Sequence, residues 1–382
     1  MWKQSRQHSV KMEETLNFYK NKRILITGNT GFKGSWLTYI LLLSGAKIVG
    51  FAQKPPTMPN LFTISGISDS KLHQITADIR ELEQVYSAFK EHQPEIVFHL
   101  AAQPIVRKSY SDPVATYSTN VMGAVNVCEA IRLTPSVRSF LNVTTDKVYK
   151  NMEWEYGYRE DDPLDGFDPY SNSKSCSELV THSYKDSFFQ DGLVAVSTAR
   201  AGNVIGGGDF SSDRIIPDCV RKAMEGKESG KDVVIGVRNP YSIRPYQHVL
   251  EPLFMYLVIA MKQYENPSFS GYYNIGPDDI DCVPTMEIVT MFCDEWNKRK
   301  DTSLPKLSWE DRVELNAPHE SDLLKLDCSR IKSRFGWRPR WHIDKAIEET
   351  VRWTKIWISD GDVRAEMDRE IKEYINEGGL HR

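Results

Sequence analysis

From Arg23 to about Gly206, short apolar runs alternate with longer amphipathic ones. "RILITG" reads as a strand and "GSWLTYILLLSGA" as a helix that stops at Gly45. "KIVGFA" and "HQITADI" are the next strands, and "ELEQVYSAFKEHQ" is helical. "EIVFHLAA", "TNVMGAVNVCEAIR", "SFLNVTTD", "YSNSKSCSELVTHSYKDSFF" and "VAVSTARAGNVIG" continue as strand, helix, strand, helix, strand. Parallel strands need a long crossover, and a helix supplies it. Such an alternation therefore predicts an α/β fold, a parallel sheet covered by helices on both faces.

The pattern loosens after Gly206. "GGGDFSSDRIIPD" and "GVRNPYSIRPYQHVLEP" are rich in Gly, Pro and charge, and the later helices come with few clear strands. The expected division is an N-terminal extension over residues 1–20, expected to be mobile, a dinucleotide-binding domain over 21–205 and a smaller substrate-binding part over 206–382. The two larger parts interleave, because "QHVLEPLFMYLVIAMKQY" is apolar enough to belong with the sheet.

The net charge of −4 gives no electrostatic case for nucleic acid or an anionic membrane. No apolar run approaches the ~18 residues of a membrane span, and the N-terminus lacks an apolar signal core. The six cysteines form no CxxC pair and stand beside no histidine at ligand spacing. Reduced thiols, no metal and a cytoplasmic location are expected.

"TGNTGFKG" directly follows the first strand and sets Gly28, Gly31 and Gly34 at GxxGxxG spacing. Glycines there permit a tight turn and close backbone approach, and the helix that follows offers free N–H groups to a pyrophosphate. A Rossmann-type, doubly wound sheet with a bound dinucleotide is the reading; a purely structural turn is the alternative. No acid ends the second strand. Gln53 and Lys54 stand there instead, so the residues leave NAD and NADP both open. Asp78 is placed to accept from an adenine amino group or to cap the next helix. The small residues of "HLAAQ", including Leu100, Ala101 and Ala102, let a dinucleotide pass over the end of the fourth strand.

"LNVTTDKVYK" ends a strand with Thr144, Thr145, Asp146 and Lys147 in succession. Further on, "YSNSK" places Tyr170 and Lys174 one helical turn apart. A phenol is a poor base at neutral pH, and a nearby ammonium favours its phenolate.

These features resemble the extended short-chain dehydrogenase/reductase family over nearly the whole chain after residue 20. The resemblance implies Thr145 as the hydroxyl that holds the substrate, Tyr170 as the base and Lys174 as its helper. It leaves Asp146 and Lys147 to be explained, and the family's nucleotide-sugar 4,6-dehydratases explain them. There the sugar is oxidised at C4, water is eliminated across C5 and C6, and the hydride returns to C6. The elimination needs an acid, Asp146, and a base, Lys147. Lysine departs from the glutamate common at that position in glucose dehydratases, which puts the C5 base in question.

"GFKGSW", "PPTMPNLF", "HLAAQPIVRKSY", "TTDKVYKNMEW", "ARAGNVIGGGDF" and "RPYQHVLEP" resemble the CDP-glucose branch of those dehydratases. This implies NAD as recycled cofactor, CDP-glucose as substrate and a homodimer built on the helices 120–132 and 170–189. Further cofactor candidates are Thr30, Phe32, Ile79, Thr119 and Thr144. Asn203 and Arg244 are the first candidates for the substrate pyrophosphate, followed by Arg238 and Arg214. Gln103, Asn120 and His248 are further substrate candidates, His248 alternatively capping the next helix. Tyr246 and Phe210 either stack on the base or pack in the core. A UDP-sugar dehydratase, retaining or inverting, and a 4-epimerase remain open. So does a cofactor-sensing binding protein, which would have no use for the Thr, Tyr and Lys together.

Overall fold

The computed structural model describes residues 12–298, 304–313 and 322–377. Its main sheet takes strands β1 (Arg23–Thr27), β2 (Lys47–Ala52), β3 (His73–Thr76), β4 (Ile96–His99), β5 (Ser139–Val143), β6 (Ala195–Ala201) and β7 (Tyr272–Ile275). All neighbours are parallel, in the order β7-β6-β5-β4-β1-β2-β3. The chain winds outward from β1 to β3, then returns to β4 and winds the other way. That reversal leaves a crevice beyond the C-terminal ends of β1 and β4, where doubly wound sheets hold ligands.

The helices that frame the site are α1 (Met12–Tyr19), α2 (Phe32–Leu43), α3 (Leu82–His92), α4 (Gly123–Arg132), α5 (Pro169–Phe188), α6 (Ile215–Ser229), α7 (Leu250–Glu265), α8 (Ile343–Ile358) and α9 (Val363–Glu377). Side chains alternate along each strand, so Leu25, Val97 and Phe140 pack with Phe89 of α3 and Val127 of α4. Ile24, Ile26 and Leu141 belong to the opposite cluster with α2 and α7.

Helix α7 is apolar and buried on every face from Leu253 to Met261. Ser139 Oγ donates to Ala260 O at 2.9 Å and Gln263 Nε2 to Phe140 O at 3.0 Å, fixing it to β5. It belongs with the sheet, as its sequence suggests. The expected N-terminal extension contains a surprise. Residues 12–19 form α1 rather than a mobile arm, with Thr15 and Tyr19 fully buried and Tyr19 Oη donating to Leu257 O at 2.6 Å. Residues 1–11 lie outside the described residues. Strand β7 was also not apparent in the sequence: "YYNI" is four residues long and gains its meaning only by pairing with β6.

Beyond residue 206 the chain makes short ribbons. Ile243–Pro245 pairs with Cys282–Pro284, and Val233–Val237 with Leu307–Asp311. Glu251 on α7 gathers the C-terminal elements. It accepts from the N–H groups of Arg340 and Trp341, both at 2.8 Å, and from Tyr374 Oη at 2.9 Å. Burial pushes its carboxyl up to about 7. The unfolded chain ionises this acid at its ordinary, lower value. Stability is therefore lost as pH rises from that value through about 7. Glu251→Gln keeps the acceptor oxygen without the charge. We expect it to reduce the loss between about pH 5 and pH 8 by about 2–3 kcal/mol, read from urea midpoints at the two pH values.

Candidate active site

Strand β1 runs into the glycine turn. Gly28 has φ +73°, and a Cβ there would lie 2.7 Å from Ala101 N, so the ends of β1 and β4 can meet only over glycine. A Cβ on Gly34 would fall 2.1 Å from Gly28 O, which is how α2 packs onto the turn. A Cβ on Gly31 would meet a single atom, Gly28 O at 3.5 Å, which is ordinary contact. Thr27 Oγ1 accepts from Leu100 N and Ala101 N at 3.2 and 3.1 Å, drawing "HLAA" against the glycines. No side chain caps the start of α2, so its first N–H groups are available to an anion. Small residues, tight glycines and an uncapped helix end fit a dinucleotide pyrophosphate.

Around this cradle several candidates have structural duties. Thr30 Oγ1 donates to Gln53 O at 3.0 Å, and Gln53 Nε2 to Asp78 Oδ2 at 2.8 Å. Arg80 closes on Asp78 with two guanidinium nitrogens, at 3.0 and 2.6 Å, and that fork holds the carboxyl below its ordinary value. Asp78 is not the cap of α3, which begins after Glu81. The side chain of Ile79 is buried: a Cβ on Gly123 would touch it at 2.9 Å. Phe32, Leu100, Ala101, Ala102 and Thr119 are half-buried.

The reacting end stands at the tip of β5. Thr145 Oγ1 donates to Asp146 Oδ1 at 2.9 Å and accepts from Lys147 N at 3.4 Å. Asp146 is buried, and its Oδ2 meets no hydrogen-bond partner among the described residues. Lys147 is half-buried beside it. Helix α5 starts where its sequence says it should. Asp168 caps it, accepting from Ser171 N at 3.0 Å, and Pro169 takes the first helical position. This places Tyr170 and Lys174 on the face toward β5.

Burial pushes the Tyr170 phenol up to about 12, against the lowering effect of its hydrogen bond with Thr145 and the charge of Arg214. Lys174 falls to about 8 by burial, partly held up by Glu178, and its Nζ donates to Val143 O at 3.2 Å. The expected lowering of Tyr170 by Lys174 is thus not what this arrangement does. Thr145 and Arg214 are the groups that favour the phenolate, and burial outweighs them.

One functional support escaped the sequence reading. Glu178, fully buried one turn beyond Lys174, binds Thr144 Oγ1, Thr198 Oγ1 at 2.7 Å, Arg200 Nη2 at 2.9 Å and His182 Nε2 at 3.2 Å. Burial alone would raise its carboxyl; the Arg200 charge and these hydrogen bonds bring it down to about 2. The stripe Tyr170, Lys174, Glu178 at four-residue spacing was the available signal.

A cavity of about 290 Å³ opens over these residues. Thr144, Thr145, Lys147 and Tyr170 form its floor, and Asn203, Arg214, Arg238, Arg244 and Tyr246 its walls. Six cationic side chains line it against three carboxylates, an imbalance suited to an anion. Arg214 pairs with Asp209 at 3.1 Å, and Arg238 with Asp213 at 3.0 Å. Arg244 is buried and donates to Ile243 O and Asp322 O at 2.9 and 3.2 Å.

Three substrate candidates, Gln103, Asn120 and His248, do not line the cavity. Asn120 bonds Gln103 N at 2.8 Å and Ser173 Oγ at 2.9 Å, and Gln103 Nε2 binds Thr116 Oγ1 at 3.0 Å. Both amides are spent fixing the loop after β4 to α5. His248 is fully buried, capping α7 through Leu250 N at 3.4 Å and facing Glu370 at 3.5 Å. Phe210 packs on Trp357, at 4.7 Å between ring centres, and is core. The sequence reading also passed over Lys33, which lines the cavity.

A parallel sheet with this glycine cradle and a Thr-Tyr-Lys site at its edge is the architecture of sugar-nucleotide epimerases and dehydratases. The chain belongs to the GDP-mannose 4,6 dehydratase family, whose profile matches residues 25–350. It is 45% identical to the CDP-glucose 4,6-dehydratase of Salmonella typhimurium over 94% of this chain and 98% of that one. Among solved structures, the UDP-glucose 4-epimerase of Thermus thermophilus in complex with NAD superposes with a TM-score of 0.71 at 24% identity, covering 87% of this chain and 99% of the other. The dTDP-glucose 4,6-dehydratase of Bacillus anthracis in complex with NAD gives 0.68 at 21% identity, covering 87% and 96%. These two likenesses establish the fold.

Proposed function

We propose that the protein converts CDP-D-glucose to CDP-4-keto-6-deoxy-D-glucose and water, with NAD recycled in each turnover. The observation that carries this reading is the meeting of Tyr170, Thr145 and Lys147 at one cavity floor, with Asp146 buried next to it and bonded to Thr145 Oγ1. The 45% identical relative supports the nucleotide.

NAD, held by the glycine turn and the start of α2, would take the hydride from sugar C4 and later give it to C6. Thr145 holds the C4 hydroxyl and Tyr170 receives its proton, with the Arg214 charge favouring the phenolate. The new C4 ketone makes the C5 proton removable. Lys147, as a neutral amine, takes that proton and gives it back to C5 when the hydride is returned to C6. Asp146, in its acid form, protonates the departing C6 hydroxyl, and water leaves. A 4-epimerase needs no such acid and base.

Among the described residues no helix is long and apolar enough to cross a membrane. The six unpaired cysteines support a cytoplasmic setting. A homodimer through α4 and α5 belongs to the same reading, supported by the exposed apolar side chains of Leu179 and Phe188 on α5 and of Met122 just ahead of α4. Sedimentation of the purified protein as a monomer would remove it.

The test is to incubate the protein and NAD separately with CDP-, UDP-, dTDP- and GDP-glucose and weigh the products. Loss of one water from CDP-glucose alone is the expected result. Water loss from another sugar only would overturn the nucleotide; no water loss would turn the assignment toward epimerisation. Lys147→Met is expected to permit C4 oxidation, seen as reduced cofactor at 340 nm, yet slow water loss by about 100-fold or more. Dehydration at the parental rate would show that another group removes the C5 proton.

A further inference from the structure

Lys33 lies between Phe32 and Gly34 at the very start of α2, inside the glycine fingerprint. Its side chain is half-buried and lines the same cavity as Tyr170, Lys147, Asn203 and Arg214. Among the described residues it makes no hydrogen bond and no ion pair. The charges that act on it come from every side. Arg214 and Asp209 lie on the loop before α6, Asp146 on the turn after β5, and Lys174 on α5. It therefore sits where the reacting floor meets the wall that carries Arg214. Burial and the neighbouring cations lower its amine to about 7, with Asp146 and Asp209 opposing.

We infer that Lys33 is a substrate-binding residue whose amine takes up a proton as it pairs with a phosphate oxygen of the nucleotide sugar. The inference rests on the substrate reading above. An unpartnered amine in a cavity already rich in cations is held partly neutral by its surroundings. A diphosphate brings two negative charges to that place and restores the ammonium, which then donates to the phosphate. The helix start would thus serve two anions, the cofactor through its backbone and the substrate through this side chain.

The experiment is calorimetric titration of CDP-glucose into NAD-saturated Tyr170→Phe protein, in which the first oxidation is blocked. Two buffers of different ionisation enthalpy report the protons exchanged. CDP-glucose itself does not titrate near neutrality, because its phosphates are diesters. Uptake is expected to approach about one proton per site near pH 8 and to fall away by about pH 6. Lys33→Met should bind about tenfold or more weakly and take up no proton. Lys33→Arg, always charged, should bind well and also take up none. A purely structural role would not separate affinity from proton uptake in this way. Unchanged uptake in Lys33→Arg would overturn the inference. Uptake on titrating NAD into the free protein, lost in Lys33→Arg, would overturn it by moving Lys33 to the cofactor's phosphates. No CDP-glucose binding by the Tyr170→Phe protein with Lys33 intact would instead sink the substrate reading itself.

Discussion

Tyr170→Phe is expected to lower dehydration by about a thousandfold, within the range of a lost general base. The phenyl ring fills the same buried space, so the site should remain intact. What disappears is the oxygen bonded to Thr145 and favoured by Arg214. Without it the C4 proton has no acceptor at the cavity floor, and no later step can begin. Nucleotide-sugar and NAD affinities should stay within about threefold of the parent, since neither phosphate site uses this phenol. The rate is checked by water loss from CDP-glucose and the affinities by calorimetry. Parental turnover would remove Tyr170 from the chemistry and the family mechanism with it.

The second large effect is on stability. Arg200 is wholly buried, donating to Glu178 Oε2, Tyr149 Oη and Glu160 O, each at 2.9 Å. Replacing it with Met leaves the Glu178 carboxylate charged and desolvated. Removing one partner of a buried ion pair costs about 3–5 kcal/mol, far more than the net worth of the pair. A matching drop is expected in the free energy from urea unfolding. The double variant Arg200→Met with Glu178→Leu should recover a good part of it, because no charge is then stranded. A single variant as stable as the parent would mean that Glu178 takes up a proton at little cost. Since Glu178 also holds Thr144, the single variant should in addition lose activity at temperatures where it is still folded.

The glycine turn, Thr145, Tyr170 and Lys174 were legible in the sequence because each is defined by short spacing next to a strand or on one helix face. The bonds that give other side chains their duties span long stretches of chain. Asn120 meets Ser173, Arg200 meets Tyr149 and Glu178, and His248 meets Glu370; nothing local announces any of these pairs. Gln103 fastens a loop instead of lining the cavity, and His248 follows its other expectation, accepting from Leu250 N at the start of α7. Lys33 was hidden differently. It stands within a motif whose glycines explain the backbone, and nothing in their spacing speaks for its side chain. Asp78 shows the opposite case: its position just beyond β3 is clear from the sequence, but the fork of Arg80 that occupies it is a matter of side-chain geometry.

The late arrival of β7 and α7 bears on how the protein is born. A ribosome that has released residues through β6 has made the Thr145 and Tyr170 regions, yet the sheet still lacks its outer strand and the helix that covers β5 and β6. About seventy more residues must emerge before Tyr272–Ile275 closes the edge of β6. Until then an apolar face and an open strand edge are exposed together, the combination that invites wrong partners. Nascent chains stalled in that interval should be the ones that chaperones hold. Release of α7 and β7, rather than of the catalytic segment, should mark the moment when this fold becomes self-sufficient.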